Sequence, residues 1–390
     1  MKIRIIAFLL FFNYSGFSQS KEFVVIDQTT DKPIDLVQIF YPSLEIGSIS
    51  NGDGKVRIPL LENEITVSHI NYVERKLTFD QFKQKDTLFL IPKTNQLGEV
   101  VIYNLDLKQK FRDILEKSYL KNYSTKKVIH NCTYKETFSV NDSLSRLFQV
   151  QLDWFSKNSL FKANVAIDKQ NIINLKSVDY SKIKQMDSTL TSSTGAYVEN
   201  KVFFQFGHLN MLLDLLINLT DDYKIESIEK SETTTTVRFN ATLEQNGEKM
   251  YHHNNSLIVF DKDYEAIKQL KFNMIYHTDF EDDISKIYNI PYQKKTESHV
   301  IELSFNTMEN GKYLISYYIS KLNGIIKTEM NTDSITAEQS LFVTESRLGK
   351  KLKNGNIDFD KPFYKNIPNS LKTNDVKILL TENEKDFLEK

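Results

Sequence analysis

Between Lys21 and Pro92, short apolar runs alternate with clusters of turn-forming residues. Phe23-Val24-Val25-Ile26 is rich in β-branched side chains and ends at Asp27-Gln28-Thr29-Thr30-Asp31-Lys32-Pro33, whose proline cannot donate to a central ladder. Leu36-Val37-Gln38-Ile39-Phe40 stops at Tyr41-Pro42. Ser50-Asn51-Gly52-Asp53-Gly54 then supplies the Asn-Gly and Asp-Gly pairs that take positive φ in tight turns. Lys55-Val56-Arg57-Ile58 alternates with period two, and Ile65 to Ile70 and Thr87 to Ile91 complete the set. Short strands at this spacing, without helical patterns between them, predict a small antiparallel β-sandwich rather than βαβ units.

Lys93-Thr94-Asn95-Gln96 reads as a polar joint, and Leu97-Gly98-Glu99-Val100-Val101-Ile102 as an edge strand that closes the sandwich or leads to the next domain. Asp106 to Tyr123 predicts an amphipathic helix, with Asp106 as N-cap and Leu107, Phe111, Ile114, Leu115 and Tyr119 on one face. From about Val128 the period turns to two. Leu147 to Trp154 places Val150, Leu152 and Trp154 on one face, and Leu270–Met274, Ile301–Phe305 and Tyr313–Tyr317 repeat the scheme. Asn246-Gly247, Asn310-Gly311 and Asn323-Gly324 read as hairpin turns. This pattern predicts an antiparallel sheet covered on one side.

One helix stands out within that sheet. Gly207 to Leu219 carries Leu209, Met211, Leu212, Leu213, Leu215, Leu216, Ile217 and Leu219, leaving a polar stripe of Asn210, Asp214 and Asn218. Such a helix is buried, and it is too short to cross a bilayer. It is either a core helix plugging a curved sheet or a lid over an apolar groove. The groove would be lined by Val150, Leu152 and Trp154 from the sheet and Leu209, Leu212, Leu213 and Leu216 from the helix. In architecture the second arrangement is similar to the convex-sheet lipoprotein carriers of the bacterial envelope. After Ser346 the chain becomes polar, with a solvated basic run from Arg347 to Lys353 and a frayed helix over 381–390. That ending lacks the aromatic-tipped last strand of an outer-membrane barrel. The expected fold is mainly β with minor α: a transthyretin-like β-sandwich at 19–93, a linker strand and helix at 94–127, a larger antiparallel β-rich domain at 128–346, and a polar tail at 347–390.

The sandwich stretch resembles the carboxypeptidase-regulatory-like domain family, common in envelope proteins of Bacteroidetes. Val25, Asp27, Thr30, Pro33, Ile34, Val37 and Ile39 match its first block, Ser48, Ser50, Asn51, Gly54 and Val56 its second, and Ser68 and Tyr72 its third. Two glycines of the family pattern are missing, since Lys21-Glu22 precede Phe23 and Asn71 stands before Tyr72. The Leu97–Ile102 phrase is similar to the segment that follows this domain in several outer-membrane families. The resemblance implies a non-catalytic docking module and covers about a fifth of the chain.

Composition narrows the setting. Lys2 and Arg4 ahead of the Ile5–Phe12 apolar run, with Gly16 and Ser18 beyond it, read as a secretion signal over residues 1–18, cleaved near Ser18. The expected location is therefore the periplasm, the outer-membrane surface or the exterior, with no integral membrane segment after cleavage. The single cysteine, Cys132, allows no internal disulfide. The 50 basic and 51 acidic residues nearly cancel, which leaves no field for nucleic acid.

No phosphate loop, nucleophile elbow, dinucleotide fingerprint or zinc-protease helix occurs, so no catalytic, cofactor-binding or metal residue is nominated and no cofactor is expected. Asp27, Asn51 and Asp53 read as turn residues rather than calcium ligands. His252 and His253, if in a strand, point to opposite faces and cannot share an ion. His277, Asp279, Glu281, Asp282 and Asp283 read as a solvated turn. The expected function is a non-catalytic envelope protein that docks by its sandwich and binds a protein partner or apolar ligand with its β-rich domain. The alternative is a secreted hydrolase acting on glycan or peptide.

Overall fold

The apolar alternation of the first stretch closes into a two-layer sandwich. One layer is β1 (Ser20–Asp27) flanked by β4 (Lys55–Pro59) and β7 (Thr87–Leu90); the other runs in the order β3 (Ile46–Ile49), β2 (Gln38–Tyr41), β5 (Ile65–His69), β6 (Tyr72–Leu77). Phe23, Val25, Ile39, Tyr41, Val56, Ile58, Ile65, Val67, Leu88 and Leu90 meet between the layers, with Phe82 from the one-turn helix α1 (Phe79–Phe82). One pairing departs from the antiparallel expectation: β7 lies parallel to β1, with Val24 opposite Thr87. The chain reaches β7 from the other layer through α1, so no hairpin dictates its direction. β3 and β6 had no apolar signal; β3 follows a turn in which Glu45 takes a φ of 56°, and β6 carries Glu74-Arg75-Lys76. At Gly54, φ is +72° and a Cβ would lie 2.6 Å from the Val25 carbonyl oxygen, so glycine is required.

The computed structural model describes residues 20–93, 105–123, 128–156, 160–184, 200–245, 247–284, 289–329, 331–349, 352, 354–368 and 376–390. The leader, the 97–102 phrase and Asn246 lie outside these. Asp106 caps α2 (Leu107–Asp113) by accepting from the Gln109 N–H at 2.9 Å, and the helix continues through a π turn at Ile114–Ser118 into α3 (Tyr119–Asn122).

The large sheet then forms from β8 (Val128–Val140), β9 (Ser143–Ser156), the one-turn helix α4 (Ile167–Gln170) and β10 (Asn171–Ile183). Helices α5 (Asn200–Phe206) and α6 (Leu209–Asn218) follow. After them come β11 (Asp221–Lys230), β12 (Thr234–Gln245), β13 (Glu248–Asp261), β14 (Ile267–Tyr276), β15 (Glu281–Ile284), β16 (Pro291–Thr307), β17 (Tyr313–Lys327) and β18 (Thr332–Leu348). Successive hairpins run from β11 to β18, and β18 pairs back onto β8, giving the order β11-β12-β13-β14-β16-β17-β18-β8-β9-β10. β10 and β11 are thus the two ends of this order, and the chain does not pass from one to the other by a hairpin. α5 and α6 lie between them in sequence and fill the concave face of the curled sheet.

The reading of Asn323-Gly324 as a turn is corrected: both lie inside β17. Gly324 is there because a Cβ would sit 2.5 Å from the Lys295 carbonyl oxygen on β16, beside a register shift.

The sheet is also covered on both faces, not one. Tyr318 and Leu341 point to the concave core, while Tyr317, Ile319 and Phe342 point outward and pack on Ile49 of the sandwich and Ile378 of the C-terminal segment. Leu257 and Val259 meet Ile70 in the same way. Ile46 pairs with Glu345 of β18, and the Gln38 side chain donates to Ser304 Oγ at 2.8 Å, so the sandwich is seated on the outer face.

The C-terminal segment is not a solvated, frayed tail. Phe359 and Phe363 enter the concave core. Farther on, Ile378 and Leu380 are buried, and α7 (Glu382–Glu389) begins in a full capping box between Thr381 and Glu384. Asn51 Nδ2 donates to the Leu380 carbonyl oxygen, Asp53 accepts from the Glu382 N–H, and Lys55 pairs with Glu382. Short apolar stretches hidden among polar residues gave no periodic signal, which is why the tail read as polar.

The covered concave face as candidate functional site

On β9 the period-two pattern sends Phe148, Val150, Leu152 and Trp154 to the concave core, and Gln149, Gln151 and Asp153 to the outer face. α6 brings Leu209, Leu212, Leu213 and Leu216 against the same core, since positions three and four apart share one helix face. All seven nominated residues therefore belong to one cluster, and none is more than 3% exposed. The helix is packed directly into the sheet's core in this conformation. Phe203 and Phe204 of α5 and Phe363 of the C-terminal segment complete the filling, with Phe363 stacked on Tyr134 at 4.2 Å between ring centres.

Polar anchors fix the helix to the sheet. Asn171 Oδ1 accepts from Trp154 Nε1 at 2.9 Å and lies 3.1 Å from Nε2 of His208, the residue before α6. The shared acceptor assigns the His208 proton to Nε2. Asn210 bonds both the N–H and the carbonyl oxygen of Phe161, and Tyr223 donates to the Leu216 carbonyl oxygen at 2.6 Å. Asn171 and His208 escaped the sequence reading, because a partnership across 37 residues leaves no local pattern.

A polar group closes one end of this core. Glu136 and Arg146 form an ion pair at 2.7 Å, with side chains 4% and 9% exposed. Tyr134 donates to Glu136 at 3.2 Å and accepts from Gln339 Nε2 at 2.6 Å, and the Arg146 guanidinium lies over the rings of Phe138 and Tyr364. Burial raises the Glu136 carboxyl above its ordinary range, and the Arg146 charge opposes that shift. His130 bonds Ser346 Oγ at 2.8 Å beside Trp154, and burial alone pulls its pKa down to about 4.

Other sequence candidates sit elsewhere. Asn51 accepts from the Asp53 and Lys55 N–H groups, and Asp27 from the Thr29 and Thr30 N–H groups and the Tyr72 hydroxyl. In the acidic run, Asp283 accepts from Tyr292 and Lys294, and Asp282 from Gln293. His253 is buried while His252 faces outward. A cavity of about water size lies at the outer seam, lined by Gly47, Ile49, Asn306, Ser316, Phe342 and Ile378, on the face opposite the helix.

No family model and no curated protein matches this sequence. Among solved structures the chain is similar to one titled "Lipid-protein interactions in lipovitellin", at a TM-score of 0.25 and 9% identity. The likeness covers 60% of this chain and 26% of that one, and at this level it carries no functional argument. Among the described residues no helix is long and apolar enough to cross a membrane.

Proposed function

We propose that this chain is a non-catalytic, exported cell-envelope protein whose large sheet receives an apolar ligand, such as an acyl chain, on the concave face now covered by α6. The observation that carries the reading is the interface itself. Val150, Leu152 and Trp154 on the sheet meet Leu209, Leu212, Leu213 and Leu216 on a helix that shares no ladder hydrogen bonds with it. Lifting α6 breaks side-chain anchors but no strand pairing, which makes this crossover a separable element. Exposing four leucines costs on the order of 1.5–3 kcal/mol each, so only a ligand that buries comparable apolar area can displace the helix. The sandwich, by its resemblance a docking module, already uses one surface to seat on its own chain's sheet.

Thermal melting with a panel of fatty acids and phospholipids tests the reading. A ligand of the native state raises the melting temperature in a concentration-dependent way. Leu216→Ala is expected to cost about 2–5 kcal/mol if the helix is purely core, and less if the site tolerates opening. A large loss in that variant, together with no shift from any lipid, would leave α6 a plain core helix. Export is tested separately: mass spectrometry of the envelope fraction should find a mature chain starting just after Ser18, and an intact Met1 there would reject it.

A further inference from the structure

The adjacent histidines of β13 separate as strand neighbours must. His253 turns into the core, and His252 turns outward, half-buried, where it meets an unexpected partner. In the β13–β14 register His252 stands opposite Ile275, and the His277 N–H donates to the Met250 carbonyl oxygen at 2.9 Å. His277 is therefore diagonal to His252 on the same face. Nδ1 of His252 lies 2.7 Å from Nε2 of His277, with the rings 18° from parallel and their centres 4.9 Å apart. At that separation one nitrogen carries a proton and the other presents its lone pair to it.

We propose that His252 and His277 form a bidentate site for a late divalent transition ion, Cu2+ foremost, with water completing the coordination. Two imidazole nitrogens about 2.0 Å from an ion, cis in a square plane, are about 2.8 Å apart, whereas tetrahedral ligation needs about 3.3 Å. The observed spacing fits the first geometry, and Cu2+ also heads the affinity order for such donors. The rings turn until both lone pairs aim at one point. The shared proton is then carried on a distal ring nitrogen, so both rings end with their N–H outward and no proton leaves the neutral pair. No group of three or more His, Cys, Asp or Glu that could hold a metal occurs among the described residues, so this site differs in kind from a closed structural one.

The test is a titration of the whole, tag-free protein with Cu2+ at neutral pH, followed by calorimetry and electron paramagnetic resonance. One equivalent should bind with the hyperfine signature of two nitrogen donors. His252→Ala and His277→Ala should each weaken binding by about tenfold or more and remove one nitrogen from the spectrum. His69→Ala, on the sandwich, should change neither. His277→Gln provides a second variant if the alanine form melts markedly earlier than the parent. Absence of stoichiometric binding, or binding unchanged in both histidine variants, overturns the proposal.

Discussion

An Arg146→Leu variant is expected to be about 3–5 kcal/mol less stable than the parent at neutral pH. Glu136 lies almost fully buried on the concave face, and its charge is answered by Arg146 at 2.7 Å, with Tyr134 as a further donor. Removing the guanidinium leaves a carboxylate in a region that already raises its pKa by burial. The sign of the pH effect follows. A carboxyl whose folded pKa lies above its unfolded value binds protons more readily in the native state, so the deficit of the variant should shrink as pH falls toward the ordinary carboxyl range. The double variant Glu136→Leu/Arg146→Leu should recover much of the loss, because a buried pair replaced by apolar residues is often near neutral. Denaturant midpoints of the parent, both single variants and the double variant give the coupling directly. A loss under about 1 kcal/mol in Arg146→Leu would mean that water reaches Glu136.

Acidification from about pH 6.5 to about pH 4 is expected to remove several kcal/mol of stability. His130 and His253 are buried, and burial pulls both pKa values down to about 4, with a small addition from His252 in the second case. The unfolded chain binds these protons from about pH 6.5 downward while the folded chain does not. Stability is therefore whole above that pH, falls through the window and levels off below about pH 4. Each site contributes up to about 3 kcal/mol, at about 1.4 kcal/mol per pKa unit. His69 and His299 are also pulled down to about 4, but both retain exposed surface and are weighted less. His253 sits among the rings of Phe239, Tyr251 and Phe272, so His253→Phe keeps the site apolar while deleting its titration. Urea midpoints across the window should fall less steeply in that variant. An unchanged slope would show that His253 does not carry the effect.

Local features were the most legible in advance. Asp106 was readable as an N-cap, α6 as a buried helix, and Val150, Leu152 and Trp154 as one face of a strand, because each depends only on residues a few positions away. The same reasoning misplaced Asn323-Gly324, where glycine answers a neighbouring backbone rather than a turn. It also took the C-terminal segment for solvent-exposed chain, although Phe359, Phe363 and Ile378 each fill a gap that other elements create.

What the sequence determined by itself is the menu of elements: strands by period two, helices by period 3.6, and turns by residues that accept positive φ. A period states that two faces differ; it does not state what lies against either. Tertiary structure alone decided that β18 closes onto β8, that the sandwich covers the outer face, and that the crossover from β10 to β11 fills the inner one. The β18–β8 pairing brought Glu136 to Gln339, the crossover brought His208 to Asn171, and the β13–β14 register brought His252 to His277. Hydrogen-bond and charge partners act through a few ångströms of space, and only the folded chain fixes which residues share them.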